Sequence, residues 1–174
     1  MDRKYVLGID PSGAFREGKG TTGMCLMSKR KRYRLENIWE IKAIDYASPE
    51  AYWYEHIRRI AQLRERYPTL VVSIEDYILY KSKAVEQINS HFETPQLIGV
   101  IKTYCWLNNI PLYIRPAVAV KARWADTILA YKGILIEKGN SYYCKLSDKV
   151  LSTHIKDAIR HAVHCLAFEL TKNK

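Results

Sequence analysis

Three apolar runs stand within the first 42 residues, and the connectors between them are short. They are Tyr5-Val6-Leu7-Gly8-Ile9, Thr21-Thr22-Gly23-Met24-Cys25-Leu26-Met27 and residues 34–41. Parallel neighbours need a crossover of about a dozen residues or more, usually a helix, so strands this closely spaced run antiparallel. The polar, glycine-rich stretch 11–20 links the first two, and the basic run Lys29-Arg30-Lys31-Arg32 suits the turn before the third. Beyond residue 42 the pattern changes to helices alternating with strands.

Ser48-Pro49 reads as a helix start, with Ser as N-cap and Pro at the first helical position. Trp53, Ile57, Ile60, Ala61 and Leu63 give that helix its apolar side, and Pro68 lies beyond its end. Residues 70–74 are apolar and largely β-branched, as expected of a buried parallel strand, and end on Glu75-Asp76. Thr94-Pro95 opens a second helix over 96–107 with Leu97, Ile98, Ile101 and Cys105 on one side. A fifth strand follows at 111–114, 116–130 is helical in part, and 133–146 reads as a β-hairpin turning at Lys138-Gly139-Asn140. The clearest helix spans 155–170, where Ile155, Ala158, Ile159, Ala162, Val163, Leu166 and Leu170 form one stripe. The order βββ-α-β-α-β-α defines an α/β fold, a mixed sheet of three antiparallel strands then parallel ones, flanked by helices. Its 174 residues are expected to form one domain, 1–174.

Lys and Arg exceed Asp and Glu by ten charges, which favours polyanionic partners, nucleic acid before an acidic membrane surface. Cys25, Cys105, Cys144 and Cys165 form no CxxC pair and sit among apolar residues, as thiols do in a reducing compartment. No run approaches the ~18 apolar residues of a membrane span, and 5–9 is too short for a secretion signal. A soluble, cytoplasmic protein is expected.

Three carboxylates stand in apolar surroundings. Asp10 ends the first strand, Glu75 ends the fourth, and Asp157 lies in the first turn of the final helix. Strand ends of open α/β sheets are where such folds place ligands. At about 100° per residue, His154, Asp157, His161 and His164 fall in one sector beside the apolar stripe. Each position also has an ordinary reading: Asp10 as turn former, Glu75-Asp76 as strand-end solvation, Asp157 as a helix-dipole partner. It is the ordered set that can converge on a divalent cation.

The segments Gly8-Ile9-Asp10-Pro11-Ser12-Gly13, Ser73-Ile74-Glu75-Asp76 and His154-Ile155-Lys156-Asp157-Ala158 resemble the three catalytic motifs of RuvC-type Holliday-junction resolvases, in the RNase H-like nuclease superfamily. The resemblance covers nearly the whole chain and is closer to phage-encoded members, because the loop between Asp10 and Gly23 is long. It implies a homodimer formed in part by the helix carrying Gln96-Leu97-Ile98-Gly99-Val100-Ile101, where Gly99 points to a close backbone approach. Simple packing within the chain is the alternative reading of that helix. Three departures stand out, the first being His154, which stands where many members carry Asp and others His. The hairpin at 133–146 replaces a usually helical segment, and the family's DNA-stacking aromatic is matched by Ile78, flanked by Tyr77 and Tyr80.

The implied activity is metal-dependent hydrolysis of paired phosphodiesters in Holliday junctions or other branched DNA, leaving 5′-phosphate ends. The implied cofactors are two Mg²⁺ or Mn²⁺ ions, ~3.5–4 Å apart. Asp10 would bridge them, Glu75 would hold one, and His154 and Asp157 the other; His161 would support a ligand. An imidazole among the ligands suits Mn²⁺ at least as well as Mg²⁺. Lys81, Lys83, Lys121 and Arg123, with Tyr77 and Tyr80, are the expected DNA contacts, and the 29–32 cluster also fits a duplex arm. Two alternatives remain: a non-cleaving binder of branched DNA, and an RNase H-type nuclease on RNA–DNA hybrids. The Asp-plus-glycine opening also resembles sugar kinases and actin-like ATPases, which need a second lobe and a second glycine-rich phosphate loop.

Overall fold

The computed structural model describes residues 4–16, 18–78 and 92–170. Strands β1 (Lys4–Asp10), β2 (Thr21–Lys29) and β3 (Tyr33–Lys42) form the antiparallel meander. β4 (Val71–Asp76) pairs parallel with β1, and β5 (Leu112–Pro116) pairs parallel with β4. The sheet order β3-β2-β1-β4-β5 makes β1 the central strand. This is the mixed α/β sheet expected from the sequence.

Both faces are covered, which is why β1 and β2 read as nearly continuous apolar runs. Val6, Cys25 and Met27 face one core, while Leu7, Ile9, Met24 and Leu26 face the other. Helices α1 (Pro49–Arg66) and α2 (Glu93–Leu107) pack on the second face. On the first lie α3 (Ala117–Lys121), α4 (Asp126–Tyr131), the β6–β7 hairpin (Ile136–Lys138, Ser141–Tyr143) and α5 (Thr153–His164). The hairpin is antiparallel, with Lys138 opposite Ser141 and Gly139 at φ 59° in its turn. No helix among the described residues is long and apolar enough to cross a membrane. All four cysteines are buried free thiols.

Three local readings are corrected. Helix α1 is capped by Ser48 as expected, its hydroxyl accepting from Ala51 N–H at 3.2 Å. Its buried side, however, is Tyr52, His56, Ile60 and Leu63, with Trp53 and Ile57 only half-buried. The face is rotated because Tyr52 and His56 bring hydrogen-bonding groups that have partners under the helix. Helix α2 begins at Glu93, after Phe92 at φ 54°, so Thr94 is freed from capping. The last helix is α-helical only to His164; Cys165–Glu169 form a π-helical turn, closed by Leu170 N–H on Cys165 O at 3.2 Å.

The approach of α5 to the sheet depends on two glycines. A Cβ on Gly8 would lie 2.1 Å from Ala158 O, and one on Gly23 would lie 2.2 Å from His154 O. With Ala158 and Ala162 as the facing residues, α5 sits directly on β1 and β2. At Gly99, in contrast, a Cβ would meet nothing within 4 Å, so the close approach expected there is not made within the described chain.

Candidate active site

β1 and β4 run parallel side by side, so Asp10 and Glu75 emerge at the same, carboxyl-terminal end of the sheet. The contact of α5 with Gly8 and Gly23 carries Asp157 over that end. Asp10, Glu75 and Asp157 each present a carboxylate oxygen within 4.8 Å of the others. Burial pushes the Asp10 carboxyl above its ordinary value, with the charges of Glu75 and Asp157 adding to the rise against the His154 hydrogen bond. Three anionic groups at this separation repel one another, and a cation between them relieves that repulsion.

His154 stands beside the trio, its Nδ1 2.7 Å from Asp10 Oδ2. That hydrogen bond raises the imidazole above its ordinary value in spite of partial burial. His161 is almost fully buried, and its Nε2 is 3.4 Å from Glu75 Oε2. Among the described residues, neither ring nitrogen of His161 nor Glu75 Oε2 has a hydrogen-bond partner. Oxygen donors, an adjoining imidazole and these orphaned polar atoms fit a hard divalent cation. His164 is turned away, its ring 5.0 Å from that of Phe168.

A cationic framework holds Asp157 from the other side. Arg160 bonds Asp157 Oδ1 and Asp126 Oδ1, and its Nε donates to Trp124 O at 2.9 Å. Lys156 Nζ adds a 2.8 Å contact to Asp126. Lys121, expected on a DNA-binding surface, places Nζ 2.8 Å from Asp157 Oδ2. Burial works against its charge, yet the hydrogen bond and charge of Asp157, then Glu75 and Asp10, hold the ammonium above its ordinary value. The Asp157–Arg160 spacing of three residues on a helix was legible in sequence; Asp126 and the Lys121 contact carried no local signal.

The segment after Asp10 is fixed by two further sets of buried groups. Thr22 Oγ1 accepts from Ser12 N–H at 3.0 Å and contacts His56 Nε2 at 2.9 Å and Tyr52 OH at 3.2 Å. Tyr52 OH donates to Ser12 O at 2.6 Å. Burial pushes His56 down to about 4, so this imidazole is neutral at physiological pH. At α2, Thr94 Oγ1 accepts from Gly13 N–H at 3.0 Å, and the buried Glu93 carboxylate accepts from Phe15 N–H at 2.8 Å. Ser12 and Gly13 fall within the first motif read from the sequence, whereas Thr22, Tyr52, His56, Glu93 and Thr94 were not singled out there as part of a site.

Of the remaining expected contacts, Arg123 lies over the Phe168 ring, 5.0 Å from its centroid. Tyr77 is partly buried against the α1/α2 core and lines a cavity of about 180 Å³ beside Pro11, Glu75 and Thr94. Tyr80, Lys81 and Lys83 lie outside the described residues.

The sheet order, the packing of α5 on the face of the sheet over β1 and β2, and the flanking helices define the RuvC-like, RNase H-like α/β fold. Two solved structures are similar over nearly the full length. The RuvC of Thermus thermophilus in complex with a Holliday junction substrate aligns at a TM-score of 0.71 and 17% identity, covering 98% of this chain and 97% of that one. A Thermus thermophilus RuvC structure aligns at 0.63 and 16%, covering 97% and 96%. No protein-family model matches the sequence, and a search of curated proteins finds no significant match.

Proposed function

We propose that this chain, as one RuvC-like endonuclease domain over 1–174, is a divalent-metal-dependent nuclease that resolves Holliday junctions and related branched DNA. The observation that carries the reading is the convergence of Asp10, Glu75 and Asp157 within 4.8 Å at the carboxyl-terminal end of the central strands. Asp10, Glu75, His154 and Asp157 would hold two Mg²⁺ or Mn²⁺ ions, which supply water activation and stabilisation of the leaving 3′ oxygen.

The chain's own residues prepare that chemistry. His154 holds one Asp10 oxygen through Nδ1 and leaves Nε2 as the ring atom available to a ligand or a proton. His161 stands behind Glu75 as its supporting neighbour. Arg160 fixes the Asp157 rotamer, so the carboxylate presents its second oxygen toward the cluster, where Lys121 balances its charge. The Ser12 and Gly13 anchors keep the backbone after Asp10 from moving away from the scissile phosphate.

A four-way junction has approximate two-fold symmetry, and a two-fold dimer addresses two opposed strands. The exposed side of α2, with Gly99 open and Trp106 77% exposed, supports a second copy seated there. The four buried thiols support action in the reducing cytoplasm.

The test compares nicking of a four-way junction, a Y-fork, a linear duplex and an RNA–DNA hybrid by the wild type and Asp10→Asn. Junction cleavage that vanishes in Asp10→Asn while binding persists is the expected result. Binding without cleavage by the wild type, with either metal, replaces the nuclease with a branched-DNA binder. Preferential cleavage of the hybrid replaces it with an RNase H-type enzyme.

A further inference from the structure

We propose that the β2–β3 turn and the adjoining groove form a second, non-catalytic phosphate-binding track that grips a duplex arm of the substrate. This rests on the branched-DNA reading and extends it to a surface at the opposite end of the sheet from the metal cluster.

Arg30, Lys31 and Arg32 are exposed, and no carboxylate among the described residues pairs with them. Of their neighbours, Arg34 is matched by Glu36 at 3.3 Å, and Lys29 lies over the Tyr33 ring at 4.8 Å. The turn therefore carries three cations that no carboxylate among the described residues compensates, flanked by the paired Arg34 and the ring-stacked Lys29. They line an open groove of about 620 Å³ together with Ser28, Tyr33 and Arg34. A second groove of about 380 Å³ shares Tyr33 and Arg34 and runs on to the exposed Lys145. The result is a basic track with an aromatic wall, the chemistry that neutralises a sugar-phosphate backbone.

Its position suits the same substrate as the cluster. Tyr33 and Leu35 pack on the α5 side of the sheet, the side on which Asp157 is presented. In the β1–β2 register Asp10 lies opposite Gly23 and Lys4 opposite Lys29, six residues away, or about 20 Å at ~3.3 Å per residue. About six base pairs of duplex span that distance at ~3.4 Å per pair, so one arm can reach both places. Charge complementarity chooses a nucleic-acid backbone here over an apolar partner.

The experiment uses full-length wild type, the triple variant Arg30→Gln/Lys31→Gln/Arg32→Gln, and Lys145→Gln. Binding to a four-way junction and to a linear duplex is measured across salt concentrations, with single-turnover junction cleavage at saturating enzyme. If three phosphate contacts are lost, the salt slope falls by about 2.7; raising salt from 50 to 200 mM then weakens the wild type roughly 40-fold more than the triple variant. Cleavage at saturation stays within about twofold of wild type, because the metal-binding carboxylates are untouched. Lys145→Gln lowers the slope by about 0.9. An unchanged slope on both DNAs, in triple variant and Lys145→Gln alike, overturns the track. Loss of binding to phosphatidylserine vesicles with unchanged DNA slopes overturns it in favour of an anionic membrane surface. The linear-duplex slope needs no cleavage, so a wild type that cuts no junction refutes the nuclease reading and leaves the track to be judged on its own.

Discussion

Replacing Gly8 with alanine tests whether the fold sets the site in the way described. The new Cβ would stand 2.1 Å from Ala158 O and 2.9 Å from Ala162 Cβ. Ordinary contact begins near 3.4 Å, so about 1.3 Å must be found between β1 and α5. The nearest obstacle is backbone, not a flexible side-chain end, so rotamer changes cannot absorb it. Overpacking typically costs ~1–3 kcal/mol, and this site belongs at the upper end, about 3 kcal/mol. At ~2–4 °C per kcal/mol for a domain of this size, Tm falls by roughly 6–12 °C. Asp157 precedes Ala158 and shifts with it, while Asp10 stays on β1. Misplacement by ~1 Å costs about 100-fold in rate, so junction nicking falls by about that factor below the melting temperature. Thermal unfolding and single-turnover cleavage are the two assays. Wild-type Tm and rate in Gly8→Ala would refute the claim that this glycine sets the distance between α5 and β1.

Other outcomes follow from individual groups. His56 binds its proton at about 4 when folded, against an ordinary 6.5. Its contribution is therefore complete above pH 6.5 and is lost as pH falls through 4, a loss of about 3 kcal/mol; wild-type Tm should drop over that window more steeply than that of His56→Gln. Glu93→Ala leaves the Phe15 and Arg16 amides without their acceptor and should cost about 1–3 kcal/mol in thermal or denaturant unfolding, with Glu93→Gln recovering part of it. Mn²⁺ should support junction nicking at least as well as Mg²⁺, and His154→Ala should narrow the difference; cleavage with Mg²⁺ alone counts against an imidazole ligand. Calorimetric titration with Mn²⁺ in the absence of DNA should give markedly weaker binding for Asp10→Asn than for the wild type.

The strands and their directions were legible because they depend on local pattern and connector length. The meander follows from connectors too short for a crossover, and the placement of β1 and β4 under both helical layers follows from their unbroken apolar runs. Asp10, Glu75 and Asp157 could be singled out because a carboxylate ending an apolar run, or set beside an apolar helical stripe, contrasts with its neighbours. The rotated face of α1 could not be read in this way. Tyr52 and His56 are polar by composition, and only Thr22 and Ser12, brought beneath them by the sheet, make their burial favourable.

The sequence by itself determined the order of elements, the two-sided sheet and the candidate carboxylates, all of which follow from periodicity and residue type along the chain. The tertiary structure alone decided that the three carboxylates come within 4.8 Å, that Lys121 turns inward onto Asp157, and that Arg160 ties Asp157 to Asp126. Hydrophobic periodicity is local, so it can be read residue by residue. Electrostatic pairing depends on distances between elements far apart in sequence, and here those distances are set by two glycines that let one helix lie against the sheet.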